Sequence, residues 1–169
     1  MNVIRLLVMV VLQAALLESV APFGEWTRPQ WALWAVFMLP PKSDPFAKLG
    51  FGFLLGLGLD IILGTYGHHM AAGTVLGGAL PALHRLLSPR EGYEVTQKPT
   101  LQDLGLQWVA VLSFLGATLF HLTLMVVDTW HARLIPSALL PALTSALWTT
   151  CCCLLLHLLV VPPDRKIKA

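Results

Sequence analysis

Charge is what this chain has least of. Its 169 residues hold 11 Lys and Arg and 9 Asp and Glu, so 12% are charged. An ordinary soluble domain carries about 25%. Hydrophobic residues make up 56% of the chain, and mean hydropathy is +0.72. That balance excludes a disordered chain and almost any soluble fold. Cysteine is nearly absent as well. Cys151, Cys152 and Cys153 stand together in an apolar run. Adjacent cysteines are poorly placed to pair, and there is no C-x-x-C spacing, so a disulfide scaffold is excluded. They read as small packing residues. Also missing are a nucleophile elbow, an H-E-x-x-H, a P-loop and a dinucleotide fingerprint. What remains is a polytopic membrane protein.

A spanning helix needs about 20 residues, so six use roughly 120 and leave roughly 49 for ends and loops. No soluble domain fits beside them. The charges divide the chain into six short spans at about 3–21, 28–41, 46–64, 70–87, 104–127 and 137–161. The second is the weakest, with 13 residues between Arg28 and Lys42. That helix would be about 20 Å long against a hydrocarbon core of ~30 Å. Trp26 extends it toward an interface.

With the amino terminus in the cytoplasm, Arg5, Lys42, Lys48, Arg85, Arg90, Lys98, Arg165, Lys166 and Lys168 lie inside. Only Arg28 and Arg133 lie outside. Nine against two sets the orientation, with both termini cytoplasmic. Trp26, Trp31 and Trp130 fall near the outer interface and Trp108 near the inner one. The longest polar stretch, Ser88 to Asp103, is a cytoplasmic loop broken by Pro89 and Pro99. Arg5 followed by an apolar run and Ser19-Val20-Ala21 imitates a signal peptide, but Pro22 suits no cleavage site, so the segment reads as a retained helix.

The third span carries the most information. Gly52, Gly56, Asp60 and Gly64 recur every four residues, which places them on one helical face. Small residues let helices approach closely in lipid, where no hydrophobic force drives them together. This face should meet another helix, and Gly73 and Gly77 repeat the spacing on the fourth span. A charge at mid-helix costs roughly 2.5–3.5 kcal/mol on insertion scales, so Asp60 should face a polar partner. His121 and Thr123 on the fifth span are the expected neighbours. Asp60 is then an anchor for a partner, a proton or ligand site, or one half of an internal hydrogen-bond pair. Asp128, His131 and Arg133 can pair locally, Glu18 reaches an interface, and His157 reads as interfacial. His68 and His69 supply two metal ligands where zinc needs more. No metal or cofactor is expected.

The ordered pieces resemble a known family. Arg28-Pro29-Gln30-Trp31 is similar to an Arg-Pro-x-Trp lead into a second helix. That helix ends at Leu39-Pro40. Gly56, Asp60, Gly64, Gly67, Ala71 and Ala72 follow in order. Together with size, six spans and a basic tail, they resemble the bacterial rod shape-determining MreD family. The resemblance implies an all-α bundle similar to the substrate-binding subunits of energy-coupling-factor transporters. It implies a non-enzymatic scaffold of the cell-elongation complex in the cytoplasmic membrane. It also implies MreC as direct partner, with RodA, the elongation transpeptidase and MreB nearby. Gly52, Gly56, Asp60, Gly64 and Gly67 would be the packing or partner-binding set. One rival is a vitamin transporter's binding subunit. Another is an intramembrane aspartyl peptidase pairing Asp60 with Asp128.

Overall fold

The computed structural model describes residues 2–17, 29–95, 97–129 and 135–161. The features expected at Glu18, Ser19 to Pro22, Trp26, Arg28, Trp130, His131, Arg133, Arg165, Lys166 and Lys168 lie outside the described residues. Among the described residues there are six helices: α1 Asn2–Leu17, α2 Leu33–Phe37, α3 Pro45–Leu63, α4 His68–Leu86, α5 Leu101–Thr129 and α6 Ile135–Val160. Among the described residues the fold is all-helical. Three stretches of the described residues are long and apolar enough to cross a membrane: Pro45–Leu63, Leu101–Asp128 and Leu139–Val160.

The second expected span differs most from expectation. Instead of a helix over 28–41, α2 is five residues long, flanked by tighter turns in which the backbone N–H groups of Leu33, Trp34 and Ala35 bond three residues back. Pro40 and Pro41 lack the N–H needed to continue it. Everything from Ala32 to Leu39 is buried. An element that is apolar all round belongs in the middle of a bundle, and α2 touches α1, α3, α5 and α6. It is a central plug.

Short helices leave backbone groups that lipid cannot satisfy. Gln13 on α1 supplies the remedy. Its Nε2 donates to the Pro29 carbonyl at 2.9 Å, and its Oε1 accepts from Ala32 N at 3.1 Å. From the other side, Thr149 on α6 accepts from Gln30 N at 3.0 Å. Both Gln13 and Thr149 are buried. Replacing Gln13 with leucine should therefore loosen α2 and destabilise the fold by about 2 kcal/mol, because it strands a donor and an acceptor. Unfolding titrations in mixed micelles measure this, and an unchanged midpoint would show the clamp to be idle.

At its other end the bundle is closed by aromatic contacts. Tyr93, in the loop after α4, donates to His84 O at 2.7 Å and accepts from Trp108 Nε1 at 3.1 Å. The Trp108 ring stacks on His84, with centroids 5.8 Å apart. Burial pushes the Tyr93 phenol up, and the Trp108 N–H acts the other way. The phenol therefore stays a donor at neutral pH. Changing Tyr93 to Phe removes both bonds at a cost of about 1 kcal/mol. Trypsin should then cut faster after Arg90, and an unaltered digestion rate there would count against this anchor. Trp108 itself is buried, not spread along an interface.

Helix α5 bends near its start, where Gly105 adopts φ 83° and ψ 161°. Only glycine enters that region readily. The first turn is held by His157, whose Nε2 accepts from Leu101 N at 3.1 Å. His157 is fully buried, so it caps a helix start and is not the interfacial residue expected. Cys151, Cys152 and Cys153 are free thiols running from exposed to buried around α6.

Candidate functional site

Among the described residues, the most extensive helix–helix contact lies between α3 and α4. Its cause is the glycine spacing. A methyl carbon added to Gly52 would lie 2.1 Å from Gly73 O, and one on Gly56 would lie 2.2 Å from His69 O. From α4, a Cβ on Gly73 would meet Gly52 O at 2.3 Å, and one on Gly77 would meet Lys48 O at 2.5 Å. The two backbones touch, and side chains at these four positions would push them apart.

Gly64 does not extend that seam. It ends α3 in a left-handed conformation, φ 66°, with no atom within 4 Å of its would-be Cβ. A helix stop of this kind needs a residue free of Cβ strain. Gly67, at φ 91°, precedes α4 in the same region. These two glycines shape the turn and lie away from the helix contact.

Asp60 sits one turn before that stop, 6% exposed. Gly67 offers α4 no side-chain cap. The first N–H groups of α4 would be left without acceptors in an apolar setting. Asp60 supplies them from the neighbouring helix. Its Oδ1 accepts from His69 N at 3.1 Å and its Oδ2 from Met70 N at 2.8 Å. The Thr65 hydroxyl donates to Oδ1, and His69 Nδ1 lies 3.0 Å from the same atom. Thr65 Oγ1 and His69 Nδ1 are themselves 2.9 Å apart. A carboxylate at a helix N-terminus also meets the positive end of the dipole. Asp60 thus locks the hairpin's turn.

This corrects the expected pairing. None of Asp60's hydrogen bonds reaches His121 or Thr123. His121 Nε2 pairs with Thr149 Oγ1 at 3.0 Å, which ties α5 to α6. Thr123 donates to Leu119 O on its own helix. Asp128 pairs with His68 across α5 and α4, with side chains 39% and 33% exposed respectively. Each of the two acids therefore has its own histidine. Among the described residues no group of three His, Cys, Asp or Glu is arranged to hold a metal.

Several participants were not singled out in the sequence. Gln13 is a polar amide in the middle of an apolar helix, where lipid offers it no partner. Lys48, read as a cytoplasmic charge, is 1% exposed and donates to Pro41 O at 2.7 Å. Thr65 and Thr149 look unremarkable in a sequence. Comparison with family models, with curated proteins and with solved structures finds no match for this chain.

Proposed function

We propose that this chain is a non-enzymatic membrane scaffold of the MreD kind, binding an MreC-like single-pass protein and helping to organise peptidoglycan synthesis. In this reading it sits in the bacterial cytoplasmic membrane with both termini inside, and its fold is of the energy-coupling-factor substrate-subunit type. RodA, the elongation transpeptidase and MreB act with it, directly or through the partner.

One observation carries most of the weight. The Asp60 carboxylate is fully engaged by the turn and the start of α4. An acid held this way stiffens a fold; it is not poised with Asp128 to activate water. The motif positions that suggest the family have matching structural tasks: Pro29 and Gln30 hold the plug, Gly56 closes the hairpin, and Asp60 caps it. A rigid hairpin with apolar outward residues, among them Phe53, Leu54, Ile61 and Ile62, suits side-by-side assembly in a membrane. The glycine face is occupied within the chain, so partner contact falls to other surfaces.

A mild-detergent pull-down from the native cell, read by mass spectrometry, tests this. Recovery of a single-pass coiled-coil protein with elongation enzymes is the expected result. Recovery of ATPase subunits in their place would overturn the scaffold and support the transporter.

A further inference from the structure

We infer that Arg5, seated on the indole of Trp34, forms a binding site for the phosphate of an anionic phospholipid in the leaflet where α1 begins. The inference concerns lipid and stands apart from the identity of any protein partner.

Arg5 lies within the first turn of α1. Around it the helix turns an apolar side outward: Ile4, Leu7, Val8 and Val11 are all exposed. Arg5 is half-buried, and its guanidinium carbon lies 5.2 Å from the centroid of the Trp34 ring. A cation over an aromatic face is held by the ring's quadrupole, and that contact uses none of the five guanidinium N–H groups as hydrogen-bond donors to oxygen. Among the described residues, no carboxylate, carbonyl or hydroxyl accepts from them. The contrast with Lys48 is direct: that buried ammonium has the Pro41 carbonyl as acceptor. Among the described residues, Arg5 is held in place yet lacks an acceptor.

Trp34 adds a second observation. It is 1% exposed, and its Nε1 is buried with no hydrogen-bond partner among the described residues. A leucine or phenylalanine would fill apolar space without stranding a donor. What the indole adds is the strongest aromatic face for a cation. Trp34 therefore orients Arg5.

The chemistry of the missing acceptor follows from depth and shape. At 1.5 Å per residue, Arg5 lies about 5 Å from the start of α1, which in the six-span reading is where headgroups would meet acyl chains. A planar fork of donors matches two phosphate oxygens. The acyl chains of the same lipid would run along Ile4, Leu7, Val8 and Val11. Free phosphate shares the charge but lacks those chains.

The test uses the purified, delipidated full chain in mild detergent, titrated separately with short-chain phosphatidylglycerol, phosphatidylcholine of equal chain length, and inorganic phosphate. Native mass spectrometry reads the bound species. Phosphatidylglycerol should bind the wild type well above the other two. Arg5→Gln should weaken it about tenfold or more. Arg5→Lys should fall between, since an ammonium keeps the charge but loses the fork. Wild-type affinity in Arg5→Gln overturns the proposal, as does phosphate binding as tightly as the lipid, which would mark a free-anion site. Should Arg5→Gln fail to fold by circular dichroism, Arg5→Lys and Trp34→Phe decide: unchanged lipid affinity in both overturns it. No partner protein is present, so this outcome is independent of the pull-down.

Discussion

Gly52→Ala will open the α3–α4 hairpin. The added carbon would lie 2.1 Å from Gly73 O and 3.0 Å from both Gly77 Cα and Gly77 N. All three are backbone atoms. A flexible side chain could swing aside, but a helix backbone moves only as a unit. Overpacking a tight interior commonly costs 1–3 kcal/mol, and rigid neighbours place this case at about 3 kcal/mol or beyond. Gly56→Ala meets His69 O at 2.2 Å and Met70 Cα at 2.5 Å, and should behave alike. Gly50→Ala is the control. It has no atom within 4 Å, so it should be neutral or gain about 0.5–1 kcal/mol from helix propensity. Reversible unfolding in mixed micelles ranks the three. Equal stability of Gly52→Ala and Gly50→Ala would mean that the two backbones do not touch.

The second large effect belongs to Asp60. Asp60→Leu leaves His69 N and Met70 N without their acceptor, while the Thr65 hydroxyl can turn to His69 Nδ1. Each unsatisfied buried donor costs about 1–3 kcal/mol, so the sum is about 3 kcal/mol or more. Asp60→Asn keeps one acceptor oxygen but loses the charge at the α4 N-terminus, and should cost about 1–2 kcal/mol. The expected order is wild type, then Asn, then Leu. The same unfolding assay reads it. A different pattern would contradict the capping role: full stability in Asp60→Asn with loss of function alone. That pattern belongs to a catalytic or ligand-binding acid.

These two cases also show what a sequence of this kind can and cannot convey. A four-residue glycine period defines a face, and a matching period on the next helix names its counterpart. The geometry of Gly52 and Gly73 was open to inspection for that reason. Gly64 shares the period but not the role, because a period cannot say where a helix stops. Asp60's partners were hidden for another reason. Two of them are backbone N–H groups, which every residue but proline possesses and no sequence pattern marks. His121 is the more visible candidate in the sequence, a polar side chain expected in the same half of the membrane. Its partner proved to be Thr149, on a helix whose register against α5 is set only by folding. The plug α2 was half legible. Its short apolar run signals a weak span, while its depth in the bundle depends on Gln13 of the preceding helix and on Thr149 arriving from far along the chain.

The most direct test of the account asks whether the glycine–aspartate face is internal to one chain. Gly78 and Leu49 mark the edge of that seam, with a Cβ on Gly78 lying 3.3 Å from Leu49 Cδ1. Cysteines at both positions, in a background with Cys151, Cys152 and Cys153 changed to alanine, can be joined in native membranes by a short thiol-specific crosslinker. The account predicts a crosslinked product that migrates as a monomer, from either wild-type or partner-depleted cells. A product at twice the mass, or one that requires a partner protein, would contradict it.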